Sequence, residues 1–141
     1  MDREELLTQA RAAALHAYAP YSKFRVGSAL IVVDQTGAEH LVTGCNVENA
    51  SYGLTFCAER NALSTAIAQF GQALAEKPRI TQIAIACIDA PADADIGLRA
   101  PCGACRQWIA ELAPGAAIIL DQYQPSLTID DLLPFAFRLR E

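Results

Sequence analysis

The sequence lacks what a polyanion or a membrane would require of it. Its 141 residues include 11 Lys and Arg against 16 Asp and Glu, for a net charge of −5. Tight nucleic-acid binders carry a basic face that neutralises phosphates, so this balance excludes a long nucleic acid as the expected partner. No stretch approaches the roughly 20 consecutive apolar residues of a membrane-spanning helix. The opening MDREELLTQ has no apolar core of the signal-peptide kind, so the expected location is the cytoplasm. Histidine is scarce. Neither His16 nor His40 stands at ligand spacing from the cysteines, and both are expected at or near the surface. No internal repeat or low-complexity tract occurs. Charged residues make up only 19% and apolar residues 52%, which excludes disorder and favours a small, uncharged or weakly charged ligand.

What is present begins with five cysteines: Cys45, Cys57, Cys87, Cys102 and Cys105. An odd number cannot pair completely. Without a secretion signal, a metal or catalytic role outranks a disulfide framework. The length suits a single domain over 1–141 with its own core.

The patterning predicts alternating strands and helices. Asp2 caps a helix from Arg3 to Tyr18, with Glu5 placed as in a capping box. Pro20 stops it. Phe24–Val33 reads as a buried strand and His40–Cys45 as its return through the turn at Asp34–Gly37. A polar loop leads to a helix over Cys57–Phe70. A linker through Gly71 and Pro78 precedes a strand at Ile80–Ile88. Asp89–Pro101 reads as a loop, Gly103–Ala113 as a helix and Ala116–Leu120 as a strand. A short fifth strand is expected near Leu127–Ile129. Two overlapping strand–helix–strand units predict an α/β three-layer sandwich: a mixed, mostly parallel five-stranded sheet covered by helices. Sites in such sheets form where strands end and helices begin, and Cys57 and Cys102 both fall at such junctions.

Two short segments carry the chemistry. Pro101-Cys102-Gly103-Ala104-Cys105 places two thiols three positions apart at a helix start, where they can converge on one point. Helix N-termini stabilise negative charge and so favour thiolates. Cys57, at another helix start, supplies a third. Three protein ligands leave a tetrahedral zinc one open position, which marks a catalytic site. Glu59 lies close to that metal without ligating it, placed to move protons. The alternatives are a closed structural zinc site with Cys45 or Cys87 as fourth ligand, and a redox pair at Cys102 and Cys105. The redox pair explains neither Cys57 nor Glu59. Cys45 and Cys87 are expected to pack as small apolar side chains.

Five blocks occur in order: Tyr21-Ser22-x-Phe24-x-Val26-Gly27, Asn46 through Tyr52, Cys57-Ala58-Glu59-Arg60, Pro101 through Gln107, and Leu132-Leu133-Pro134-x-x-Phe137. The ordered set resembles the small, cysteine-liganded cytidine deaminases over nearly the whole chain, and the Cys-x-Glu with Pro-Cys-x-x-Cys pattern is the general signature of zinc deaminases. The resemblance implies that Zn²⁺ is held by Cys57, Cys102 and Cys105. It implies Glu59 as proton shuttle, Asn46 and Glu48 on the sugar 3′-hydroxyl, and Phe24 against the pyrimidine. Arg60 would donate hydrogen bonds to the thiolates and offset their charge. The implied activity is deamination of cytidine and deoxycytidine in pyrimidine salvage. The implied assembly is a homotetramer in which Phe137 reaches a neighbour's active site. Ala100 departs from the Ser or Thr that the family often has there. A modified nucleoside as substrate, or a non-catalytic zinc module, are the competing functions.

Overall fold

The computed structural model describes residues 1–71 and 79–139. Most of the linker between Gly71 and Pro78 therefore lies outside the described residues. In chain order the elements are α1 (Arg3–Ala14), β1 (Val26–Val33), β2 (Glu39–Cys45), α2 (Ala58–Phe70) and β3 (Ile80–Cys87). They continue with α3 (Ile96–Arg99), α4 (Gly103–Leu112), β4 (Ala117–Leu120) and α5 (Ile129–Leu132).

Local chemistry accounts for the boundaries. Asp2 caps α1 by accepting from Glu5 N at 2.8 Å while the Glu5 side chain accepts from Asp2 N, the expected capping box. The helix ends at Ala14 rather than Tyr18, because Tyr18 is drawn into a bridge with Val47. Its N–H donates to Asn46 O and its carbonyl accepts from Glu48 N. Likewise β1 starts at Val26, since Arg25 N donates to Asp89 and the Phe24 carbonyl accepts from Asn46 Nδ2.

The strands form one mixed sheet in the order β2-β1-β3-β4. β1 pairs antiparallel with both β2 and β3, and only β3 and β4 pair in parallel. The expected five-stranded, mostly parallel sheet is thus corrected: among the described residues it has four strands, with antiparallel pairing in the majority. The reason is that β1 inserts between β2 and β3. The β2–α2–β3 crossover passes over it, so those two parallel strands are not neighbours. The expected fifth strand reduces to one bridge between Leu127 and Ile118, after which Thr128 caps α5.

The sheet is buried on both faces, which explains why β1 reads as a run of apolar residues broken only by Ser28, whose hydroxyl donates to Ala84 O, rather than as an alternation. One face, with Leu30, Val42, Ile83, Ile85 and Ile118, packs under Leu63 of α2 and Ile109 of α4. The other face, with Ala29, Ile31 and Ala84, packs on Leu6, Leu7 and Ala10 of α1. Truncating a fully buried side chain such as Leu63 to Ala would cost roughly 2–5 kcal/mol. The layers approach closely at glycine. A Cβ on Gly27 would fall 1.9 Å from Ala10 O, so α1 rests directly on β1 there.

Candidate active site

Two helix N-termini meet at one edge of the sheet. Cys57 is the N-cap of α2 and Cys102 the N-cap of α4, both with extended backbone. Neither thiol is used as a cap, so both are free to point outward from the helix starts. Cys105, one turn into α4, is fully buried. The three sulfurs lie within 4.8 Å of one another, and Cys57 Sγ stands 3.9 Å from Cys102 Sγ. A tetrahedral zinc with Zn–S bonds of about 2.3 Å separates its sulfurs by roughly 3.8 Å, so the donor set fits that ion.

The electrostatics suit a cation. The neighbouring Cys105 thiol and the Arg60 guanidinium hold Cys57 down to about 5. The Cys57 sulfur beside it, together with burial, pushes Cys105 well up. Three thiolates gathered at this spacing are stabilised by a positive charge among them. Arg60 Nη2 donates to Cys57 Sγ at 3.3 Å. Its guanidinium lies 4.9 Å over the Phe56 ring, which Trp108 braces edge-on.

Glu59, in the first turn of α2, is only 4% exposed. Burial pushes its carboxyl up to about 7. A carboxyl group in that range can both take and give a proton near neutral pH. A cavity of about 170 Å³ opens onto the cluster, and Phe24, Asn46, Glu59 and Arg99 are among its walls.

The other sequence-predicted residues divide. Asn46 reaches the cavity, but its Oδ1 accepts from Val26 N at 2.8 Å and its Nδ2 donates to Phe24 O at 2.9 Å. Glu48 lies in an adjoining cleft of about 420 Å³ with Tyr21, Tyr52 and Thr55. Its carboxylate accepts from Tyr21 N, Ser22 N and Ser22 Oγ. Thr55 lines both spaces and joins them. Phe137 is 69% exposed and does not line the cavity of its own chain; its carbonyl accepts from Gln107 Nε2. Cys45 and Cys87 stand outside the sulfur cluster. Cys87 packs in the core at the end of β3, where burial pushes its thiol up to about 12. His40, on the β1–β2 hairpin, pairs with Asp34 at 2.6 Å and is not part of the sulfur cluster.

Sequence reasoning missed Arg99. It sits at the end of α3, inside the segment read as a loop, and is 4% exposed on the cavity wall. The available signal was a single arginine in an otherwise acidic stretch, three residues before Cys102.

The comparisons with known proteins agree with this geometry. The family model for the cytidine and deoxycytidylate deaminase zinc-binding region matches residues 1–120. A cytidine deaminase of Halalkalibacterium halodurans is 42% identical, over 97% of this chain and 95% of its own. One from Mycobacterium tuberculosis is 39% identical over 99% and 92%. The crystal structure of cytidine deaminase from Burkholderia pseudomallei superposes with a TM-score of 0.80 at 41% identity, covering 97% of this chain and all of the other. With three convergent thiols, a buried carboxyl beside them and matches along nearly its whole length, the chain belongs to the zinc-binding cytidine and deoxycytidylate deaminase family.

Proposed function

We infer that this protein catalyses the zinc-dependent hydrolytic deamination of cytidine and deoxycytidine, giving uridine and deoxyuridine plus ammonia. One observation carries the reading. The Glu59 carboxyl is buried in the same cavity as Cys57 and Cys102, two residues beyond the N-cap that supplies the first thiol. A purely structural metal site has no use for a buried carboxyl poised near neutrality.

Cys57, Cys102 and Cys105 would hold the zinc. When bound, it supplies a Lewis acid that makes water nucleophilic at neutral pH. Glu59 takes a proton from the attacking water and returns protons to ring nitrogen 3 and to the departing amine, so that carbon 4 exchanges its amine for oxygen. Arg60 balances thiolate charge from outside the cavity. Phe24 closes on the pyrimidine. Asn46 holds the Phe24–Val26 backbone in place and offers its remaining N–H to the sugar, with Glu48 beyond Thr55 as second sugar contact.

Residues 1–141 are taken as one deaminase-like domain, supported by two cores on opposite faces of a single sheet. The assembly is read as a homotetramer that works in the cytoplasm in pyrimidine salvage, with a nucleoside and no nucleic acid as partner. The net charge of −5 supports the reading that no nucleic acid is a partner, and among the described residues no helix is long and apolar enough to cross a membrane.

The test is direct. Zinc-loaded protein is incubated with cytidine and deoxycytidine, and loss of cytosine absorbance is followed alongside ammonia release, with and without chelator. Turnover that chelation abolishes is expected. Zinc-loaded protein that leaves both nucleosides unchanged overturns the assignment.

A further inference from the structure

Arg99 is an anomaly in charge. It is 4% exposed, yet among the described residues no carboxylate lies within ion-pair distance of it. Arginine stays protonated in proteins and is almost never this buried without a partner, because an unpaired buried charge is costly. Its one hydrogen bond runs from Nη2 to the Pro91 carbonyl at 2.7 Å. The other N–H groups have no partner among the described residues, and they are not sealed in either. The enclosed, unpartnered side-chain nitrogens are Arg60 Nε and Arg79 Nε. The guanidinium therefore keeps open donors, and Arg99 is part of the wall of the cavity that Glu59, Cys57 and Cys102 share.

Its place in the chain puts it on the thiol side of the cavity. Arg99 lies three residues before Cys102, and its carbonyl accepts from Cys87 Sγ at the end of β3. The groups read as sugar contacts, by contrast, extend through Thr55 into the adjoining cleft with Glu48. We propose that Arg99 is a specificity-determining residue that makes the cavity select cytosine nucleosides carrying a small oxyanion, a carboxylate, on the pyrimidine ring. The proposal rests on the deaminase reading above. A planar guanidinium with free donors pairs with a carboxylate through charge-assisted, bidentate hydrogen bonds. Unsubstituted cytidine leaves those donors to water.

The test compares 5-carboxycytidine with 5-carbamoylcytidine, which has nearly the same shape and no charge, and with cytidine and cytidine 5′-phosphate. For wild type, kcat/KM is expected to favour the carboxylate over the carboxamide by roughly 10- to 100-fold, the range of a charge-assisted contact. In Arg99→Met the ratio should fall to near one, and Arg99→Lys should restore part of it. Zinc content and circular dichroism establish that the variants are folded. A wild-type ratio near one, or a ratio that Arg99→Met leaves unchanged, overturns the proposal. The latter is what a residue that merely ties α3 to Pro91 would give, since its loss affects all substrates alike. Dependence on Arg99 for cytidine 5′-phosphate but not for 5-carboxycytidine also overturns it, because the cation would then face the sugar. Absence of cytidine turnover sinks the deaminase reading itself, whereas cytidine turnover without charge selection sinks only the role of Arg99.

Discussion

Gly44 of β2 lies so close beneath Ala62 of α2 that a Cβ on the glycine would stand 2.5 Å from the Ala62 backbone nitrogen. The same atom would stand 2.8 Å from the carbonyl oxygen of Ala58, the residue between Cys57 and Glu59. The missing side chain thus sets the height of α2 above the sheet. Gly44→Ala forces the helix outward and carries Cys57 and Glu59 away from the thiols of α4. Overpacking of this kind costs roughly 1–3 kcal/mol, and misplacing catalytic groups by about 1 Å costs on the order of 10²-fold in rate. A lowered Tm together with a lowered kcat is expected. Gly115→Ala, where the Cβ meets nothing within 4 Å, serves as control. Wild-type kcat in Gly44→Ala would show that α2 is positioned by something else.

Zinc should follow the sulfur cluster and not the cysteine count. Replacing Cys57, Cys102 or Cys105 with Ala leaves at most two of the three convergent thiols. Metal content and turnover are both expected to collapse. Cys87→Ala removes a core thiol outside the cluster and should retain one zinc per chain, at a modest cost in stability. The measurement is metal analysis on each purified variant. Zinc loss from Cys87→Ala with retention in Cys57→Ala would reverse the ligand assignment.

The thiols and Glu59 were legible because metal chemistry constrains spacing along the chain. Cys102 and Cys105 fall one helical turn apart, and Cys57 and Glu59 straddle a helix start whatever the sheet does. The capping box at Asp2 and Glu5 is local in the same sense. Strand order is not local. That β1 inserts between β2 and β3 depends on which apolar edges meet, and hydrophobic runs of similar composition carry no address. The end of α1 was misplaced because helix propensity continues to Tyr18, while a bridge to Val47, far along the chain, overrides it. Arg99 escaped for a related reason. One arginine in an acidic loop looks like a solvated charge until the fold turns it inward.

Glu59 should leave a signature in stability as well as in catalysis. Glu59→Gln keeps the shape and removes proton transfer, so turnover should drop by roughly 10²–10⁴-fold or more with zinc retained. In metal-free protein a second effect follows. Burial raises the folded-state pKa to about 7, above the ordinary carboxyl value. The contribution of Glu59 is therefore fully present at acid pH and is lost as pH rises through 7. Cys57, held down to about 5, works in the opposite direction. The wild-type curve alone does not separate the two, but the difference between wild type and Glu59→Gln does. Glu59→Gln should gain stability relative to wild type between about pH 5 and pH 8, by up to roughly 3 kcal/mol. Denaturant titrations of the chelator-treated pair measure it. A pH-independent difference would mean that Glu59 is not buried as a neutral acid.

The C-terminal tail should be held by a neighbouring subunit. Phe135 is fully exposed and Phe137 and Leu139 are largely so, an apolar segment that the described residues leave mostly uncovered. Phe135 also adopts φ 57°, a left-handed conformation that is uncommon for a bulky residue and costs on the order of 1–2 kcal/mol. Within one chain the described contact that steadies the segment is the hydrogen bond from Gln107 to the Phe137 carbonyl. An exposed aromatic tail in a strained conformation is explained if a partner's surface covers it. The cavity beside the thiols also opens to solvent and would gain from an aromatic that excludes water around the base. Removing residues 135–141 should therefore break the assembly and raise KM for cytidine, while zinc stays bound to a folded chain. Phe137→Ala should raise KM with a smaller effect on assembly, because Phe135 and Leu139 remain. Sedimentation run at the assay concentration decides the matter. A monomer with undiminished kcat/KM would mean that each chain completes its own site and that the tail serves no neighbour.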